Sequence, residues 1–285
     1  MMTTTTGRLY VVATPIGNLG DFSARGREIL AAADCIAAED TRHSGKLLAH
    51  FGIKRPLLAY HDHSAPGVRD KLLRMLRQGA NIALVADAGT PLISDPGYDL
   101  VKAAREQGGE VIPVPGPSAV TAALSVSGLP TDNFRFAGFP PASATARRKR
   151  FEELRSGAAT LVLYESSHRL LDCVDDLNAV FGPDRRIFIA REMTKRFESH
   201  FSGTLEEAAE WLRGDENRRR GEFVFVLAGH APKSPEAERL SEALRIAKLL
   251  QPELPLRKAA ALAEKITGVR KNRIYQRALA QQTAD

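Results

Sequence analysis

The sequence predicts an α/β protein made of two α/β domains followed by a small helical C-terminal appendage. Three observations lead there. Short apolar runs rich in β-branched residues alternate with longer amphipathic stretches, the pattern of strand–helix alternation and a mostly parallel sheet. A turn-rich break, Gly128-Leu129-Pro130-Thr131-Asp132, separates this half from one with fewer helices between its strands. A Pro-flanked segment, Ala231 to Pro235, then precedes purely helical patterning. With 285 residues and 44% hydrophobic content the chain can bury the core this plan needs.

The elements follow in order. Residues 1–7 are polar and expected to be disordered. In the first domain, residues 8–128, strands are expected at Leu9 to Ala13, Cys35 to Ala38, Leu57 to Tyr60, Ile82 to Ala86 and Val111 to Val114. Helices are expected at Ser23 to Ala33, Ser44 to Phe51, Pro66 to Arg77, Tyr98 to Gln107 and Ser118 to Ser127, with glycine stops such as Gly79 and Gly108. In the second domain, residues 129–230, the strands are Phe134 to Phe139, Thr160 to Tyr164, Arg186 to Ala190, Phe197 to Phe201 and Phe223 to Leu227, with some antiparallel pairing. The extension, residues 236–285, carries helices at Glu238 to Leu250, Leu256 to Ile266 and Lys271 to Ala280.

Composition narrows the setting. No stretch approaches the roughly 20 apolar residues of a membrane span, and the start lacks the apolar segment of a signal peptide, so a cytoplasmic protein is expected. Cys35 and Cys173 are far apart and belong to no Cys/His cluster, which fits reduced thiols. The net charge is +6, and residues 231–285 hold eleven Lys/Arg against six Asp/Glu, so most of it sits in the tail. Such asymmetry suits a polyanion partner or a solvated helix surface.

Ligands of open α/β sheets bind beyond the carboxyl ends of the strands. Every polar cluster of the first half falls there: TPIGNLGD, EDTRHSGK, YHDHS, DAGTPLISDPG and VPGPSAVTAA follow the five strands in turn. Their glycines permit close backbone approach, and their prolines stiffen the loops. His61-Asp62-His63 lacks an evident third ligand, so no metal is expected. The chain contains no G-x-G-x-x-G, no G-x-x-x-x-G-K-[ST] and no G-x-S-x-G, which counts against hydride transfer, NTP hydrolysis and lipase-type acyl transfer.

Taken together, VVATPIGNLGD, AAEDTRHSGKLL, VADAGTPLISDPGYDLV, VPGPSAVTAALSVSGLP, GFPP, LVLYESSHRLLD and GEFVFVLAG resemble the bacterial 16S rRNA cytidine 2′-O-methyltransferases. These form a branch of the tetrapyrrole (corrin/porphyrin) methylase superfamily. The resemblance runs from about Leu9 to Gly229 in the family's order, and the basic tail is similar to the family's C-terminal extension. It implies two α/β domains of the tetrapyrrole methylase type, with S-adenosyl-L-methionine in the cleft between them, and a homodimer. It implies methyl transfer to the ribose of the decoding-site cytidine in 16S rRNA of the small ribosomal subunit. The implied cofactor contacts are Pro15, Ala88, Gly89, Thr90, Ile93, Ser118, Ala119, Glu165 and Met193. Where metabolite enzymes of the superfamily carry Gly-Asp-Pro, this chain has Gly89-Thr90-Pro91, with its acid earlier as Asp87.

In-line displacement at a sulfonium methyl needs positioning and a proton acceptor. Glu39, Asp40, Asp87 and Glu165 are the acids on the rim; Asp40 and Asp87 are the catalytic candidates, with a helix cap and a turn acid as their structural alternatives. Arg42, His43, Arg169 and Lys195 are candidate phosphate contacts, Arg42 alternatively pairing with Glu39 or Asp40. In the tail, Lys258, Arg270 and Lys271 are candidate RNA contacts within a basic segment of helix–turn–helix character. A dimer-docking helix is the alternative there. A precorrin or uroporphyrinogen methylase and a non-catalytic ribosome assembly factor are the competing functions.

Overall fold

The computed structural model describes residues 6–61, 66–230 and 235–282. Asp62 and His63 of the histidine cluster, residues 1–5 of the N-terminus and most of the Ala231 to Pro235 segment lie outside them. The chain divides into two units, Met1–Gly229 and His230–Asp285.

The first unit begins with strict strand–helix alternation: β1 (Arg8–Val12), α1 (Ala24–Ala32), β2 (Cys35–Ala38), α2 (Thr41–His50), β3 (Leu57–Ala59), α3 (Pro66–Arg77), β4 (Ile82–Val85), α4 (Tyr98–Glu106), β5 (Glu110–Val114) and α5 (Ala119–Val126). The strands form one parallel sheet in the order β3-β2-β4-β1-β5. Both faces are buried, so successive residues of β4 serve opposite cores. Ile82 and Leu84 pack with Leu72 and Leu100, while Ala83 and Val85 pack with Leu30 and Ile36. In this order the chain leaves β1 toward β2 on one side and leaves β4 toward β5 on the other. The neighbouring strands β1 and β4 therefore form the topological switch point, where a crevice opens beyond their carboxyl ends.

Beyond Gly128 come β6 (Phe134–Phe136), α6 (Ala144–Leu154), β7 (Thr160–Ser166), α7 (Leu170–Phe181), β8 (Arg186–Arg191), β9 (Ser199–Thr204), α8 (Leu205–Arg213) and β10 (Glu222–Leu227). They build a second sheet in the order β6-β7-β10-β8-β9, in which only β6 and β7 are parallel. Antiparallel pairing dominates here more than the expected minor share. The segment joining β8 to β9 is far too short for the crossover that a parallel neighbour requires. Strand β10 alternates: Phe223, Phe225 and Leu227 pack with Leu177 of α7 and Leu205 of α8, while Val224 and Val226 meet Val120 and Leu124 of α5. Helix α5 thus follows the first sheet in sequence yet packs on the second, which ties the two sheets into one unit.

The second unit consists of α9 (Pro235–Leu250), α10 (Leu256–Thr267) and α11 (Lys271–Gln282). Ala243, Ala247, Ala259, Ala260, Ala263 and Ile274 form its small core, the alanines letting helix axes approach closely. Helix α10 ends at Gly268, whose φ of 74° is the left-handed conformation of a helix stop.

Candidate active site

The loop after β4 is the hub of the crevice at the switch point. Thr14, after β1, exchanges two backbone hydrogen bonds with Gly89, N···O 2.9 and 3.1 Å, and its hydroxyl donates to the Ala86 carbonyl at 3.2 Å. The Asp40 backbone N–H, after β2, donates to Asp87 Oδ1 at 3.0 Å. The Thr90 hydroxyl donates to the Pro117 carbonyl, after β5, at 3.0 Å. Four loops are therefore fixed to one another mainly through backbone groups, which leaves their remaining amides and carbonyls at set positions around the opening.

That opening is a cleft of about 560 Å³, bounded by the loops of the first sheet on one side and by the ends of β7 and β10 and the loop after β8 on the other. The size suits a drug-sized small molecule, for which roughly 300–1,000 Å³ is usual. Ile16, Ile93, Phe139 and Met193 give it apolar wall; Ala88, Gly89, Ser118 and Ala119 give it backbone. Gly89 holds φ at 79°, and a Cβ there would stand 3.3 Å from the Ile16 side chain, so the position admits only glycine comfortably. Ser118 opens α5 without a side-chain cap and lines the cleft with Ala119, while the Val120 N–H of the same turn donates to the Tyr164 hydroxyl.

Backbone strain concentrates at the same place. Among the described residues, the non-glycine residues with positive φ are Leu92 and Ser94 in the loop after β4 and Glu192 and Thr194 in the loop after β8. Each such conformation costs on the order of 1 kcal/mol or more and persists where the surroundings enforce it. Here the enforcement is visible: the Glu192 carboxylate accepts from Lys195 Nζ and from the Glu222 N–H, both at 2.9 Å, and Glu198 accepts from the Thr194 N–H at 2.7 Å.

The cleft is acidic. Glu39, Asp87, Asp95 and Glu165 all line it. Burial, reinforced by the neighbouring Glu39 and Asp87 charges, pushes the Asp95 carboxyl up to about 7. Burial likewise, with the Asp95 charge, pushes the Tyr164 hydroxyl up to about 12. Glu165 is buried and compensated: Arg169 Nη2 lies 2.8 Å from its Oε1, which also accepts from the Ser166 N–H at 2.7 Å.

Residues 8–209 match the model of the tetrapyrrole (corrin/porphyrin) methylases, and residues 237–282 match that of the RsmI C-terminal HTH domain. The chain belongs to the tetrapyrrole methylase family. It is 51% identical to a ribosomal RNA small subunit methyltransferase I of Escherichia coli O157:H7, over 97% of this chain and 96% of that protein. It is 50% identical to the protein of that name from Pseudomonas aeruginosa, over 97% and 98%. Among solved structures, a uroporphyrin-III-C-methyltransferase from Thermus thermophilus superposes with a TM-score of 0.55 at 22% identity, covering 78% of this chain and 94% of that one. Diphthine synthase superposes at 0.57 with 16% identity, covering 78% and 90%. These two likenesses concern the fold, and they agree with the two-sheet α/β architecture expected from the sequence.

Within this tetrapyrrole methylase fold the expected site residues separate into groups. Ala88, Gly89, Thr90, Ile93, Ser118, Ala119, Glu165 and Met193 converge on the cleft, while Pro15 lines a second cavity that adjoins it. Asp87 and Lys195 line both cavities. Asp40 lines neither: it caps α2, accepting the Arg42 N–H at 2.8 Å, and its two oxygens are gripped by the Arg42 guanidinium at 3.2 and 2.8 Å. Those Arg42 hydrogen bonds hold the Asp40 carboxyl well below the usual carboxylate range. Arg169 turns inward to Glu165 and to the Pro140 carbonyl, so its guanidinium is engaged within the domain. His43 lines the second cavity. Lys258, Arg270 and Lys271 are exposed on the second unit, Arg270 in the turn between α10 and α11. From the sequence, Asp95 reads only as part of the lead-in to α4. The helix starts at the expected Tyr98, with Gly97 at its cap, and Asp95 lines the cleft. Tyr164 reads only as strand. Both gain their setting where loops of the first sheet meet the second sheet, which no local pattern reveals.

Proposed function

We propose that the chain is an S-adenosyl-L-methionine-dependent methyltransferase of the small-subunit ribosomal RNA, and that it methylates the 2′-oxygen of a cytidine ribose in 16S rRNA. The family and the names of relatives at about half identity support rRNA methyl transfer. The observation that carries the chemistry is the cleft itself: a backbone cradle at Gly89, an uncapped α5 N-terminus, apolar walls and acids, all within strained, cross-braced loops.

The residues fit a methyl-donor nucleoside. The α5 N-terminus suits a carboxylate, the Gly89 backbone and the Ile16, Ile93 and Met193 side chains suit flat and apolar parts, and the acids suit a cationic centre. When bound, S-adenosylmethionine supplies an electrophilic sulfonium methyl. The chain's part is then to hold an incoming hydroxyl in line, exclude water and accept one proton. Asp87 is the acceptor in this reading, because it stands on the wall shared by the two cavities and its orientation is fixed by the Asp40 N–H. Asp95 adjusts the charge of the donor cavity near neutral pH. Asp40 supports Asp87 by presenting its backbone N–H from the start of α2.

The tail's Lys258, Arg270 and Lys271 add electrostatic attraction to the ribosomal RNA. The protein acts as a cytoplasmic homodimer in this reading, and among the described residues no helix is long and apolar enough to cross a membrane. The test is to map ribose methylation of 16S rRNA from cells with and without this protein, and to follow labelled methyl transfer from S-adenosylmethionine to small ribosomal subunits. Loss of a single 2′-O-methyl cytidine and its restoration in vitro is expected. Label entering a tetrapyrrole, with rRNA unchanged, would overturn the proposal.

A further inference from the structure

Beside the main cleft lies a second cavity of about 440 Å³, which shares Ile16, Asp87, Ala88, Lys195 and Glu222 with it. Its remaining wall includes one face of α2. His43, Lys46 and His50 line it together, at the three- and four-residue spacing that places side chains on a single helical stripe. All three are exposed. Lys46 and His43 have no ion-pair partner among the described residues, whereas the adjacent Arg42 is held by Asp40. The stripe from His43 to His50 runs ~10 Å at 1.5 Å per residue, long enough to face more than one phosphate of an extended strand.

In-line transfer requires the acceptor to reach the donor through a space that opens onto it. The second cavity adjoins the main cleft along shared lining residues, Asp87 among them. We infer that it is a backbone subsite for single-stranded RNA, in which the His43–Lys46–His50 face of α2 receives the phosphodiesters flanking the ribose that is methylated. This rests on the reading that rRNA is the acceptor and adds where on the chain its backbone is held. Lys46 is the fixed charge of the stripe. The two histidines offer ring N–H donors along the same line, and Lys195, shared with the main cleft, lines the cavity while tethered to Glu192 and Glu222 at 2.9 Å each.

The test uses the full chain, labelled S-adenosylmethionine and unmethylated small ribosomal subunits. Lys46→Glu is expected to raise KM for subunits about tenfold or more and to leave kcat within about twofold. The slope of log affinity against log salt should become shallower by about 0.7 for each phosphate that is no longer neutralised. Lys46→Gln is expected to show a smaller change in the same direction, and Lys46→Arg to remain near the wild type. Unaltered donor affinity by calorimetry verifies that each variant is folded. Unchanged KM and salt slope in both Lys46→Glu and a His43→Ala/His50→Ala double variant would overturn the subsite while leaving rRNA methylation intact. If the wild-type chain transfers no methyl group to rRNA, the parent reading falls, and the subsite falls with it.

Discussion

The loops after β2 and β4 each carry an aspartate at the rim of the same sheet, and the two behave in opposite ways. Asp40 is partly exposed, grips Arg42 through both oxygens and sits well below the usual carboxylate range. Asp95 is half-buried, has no ion-pair partner among the described residues, faces Glu39 and Asp87, and is pushed up to about 7. A carboxylate next to its own cation is committed to local structure. One that is partly desolvated among like charges is poised to respond to a cationic ligand. Asp87 lies between them, anchored by a backbone N–H from the loop after β2 and open to both cavities.

The largest effects are expected where the cleft is built. Asp87→Asn keeps the acceptor for the Asp40 N–H but removes the proposed base, so kcat should fall by about 10²- to 10⁴-fold with donor affinity within a few-fold. Single-turnover methyl transfer beside donor calorimetry measures both; an unchanged rate would remove Asp87 from the chemistry. Gly89→Val places a β-branched side chain at φ 79° against Ile16, 3.3 Å away at the Cβ alone. Donor affinity should drop by about 100-fold or more, about 2.7 kcal/mol, without loss of fold by circular dichroism. Normal affinity would mean that the loop after β4 does not cradle the donor.

Much of this was legible in the sequence because its signals are local. The helix Pro66–Arg77 and the strand Cys35–Ala38 stand at the expected bounds, since apolar periodicity and glycine stops mark them. The loop residues Ala88, Gly89 and Thr90 were reached through the resemblance of DAGTPLISDPG to the family's loop, since glycine and proline after a strand taken alone read as an ordinary turn. Where a side chain serves a partner distant in sequence, the pattern gave no sign. Helix α2 starts at Thr41 rather than at the expected Ser44 because Asp40 caps it, and β9 starts at Ser199 rather than Phe197 because the strained segment around Thr194 occupies the preceding residues. Arg169 looks like a cation for RNA, yet its i,i+4 spacing to Glu165 already contains the ion pair that is found. Asp95 is hidden for a stronger reason: its raised value comes from burial first and from the Glu39 and Asp87 charges second, in a neighbourhood that includes Tyr164 and is assembled from both sheets.

Asp95 supplies predictions of intermediate size with a definite sign. Its folded value lies above the ordinary aspartate value of about 4, so the folded state holds a proton that the unfolded chain has already released in the window between about 4 and 7. Stability therefore falls as pH rises through that window and is level above it. Asp95→Asn should match the wild type near pH 4 and exceed it above pH 7 by on the order of 1 kcal/mol, the penalty being softened by solvent at a half-exposed group. Denaturant titrations at the two pH values measure the difference. In binding, ionised Asp95 favours a cation in the same cleft. Affinity for the sulfonium donor should rise about five- to tenfold between pH 6 and 8, with little change for the neutral thioether product. Asp95→Asn should flatten the donor curve toward that of the thioether; a pH response that survives the substitution belongs to another group.

The smallest effect is expected at Asp40, and it decides whether the contrast between the two loops is real. Asn caps helices as well as Asp does and keeps an oxygen for the Arg42 N–H, so Asp40→Asn preserves α2 and with it the backbone N–H that orients Asp87. The charge is lost, and with it the grip on Arg42, but that pair is exposed and contributes little. Methyl transfer should stay within about twofold of the wild type, with an unshifted pH profile, because a carboxyl held this acidic by its own arginine has little basicity to offer a hydroxyl proton. Should the rate instead fall as steeply as in Asp87→Asn, with donor affinity unchanged, Arg42 would have to release Asp40 in the reacting complex. The proton would then pass to the loop after β2, and the acid set apart by its ion pair would be the one that performs the chemistry.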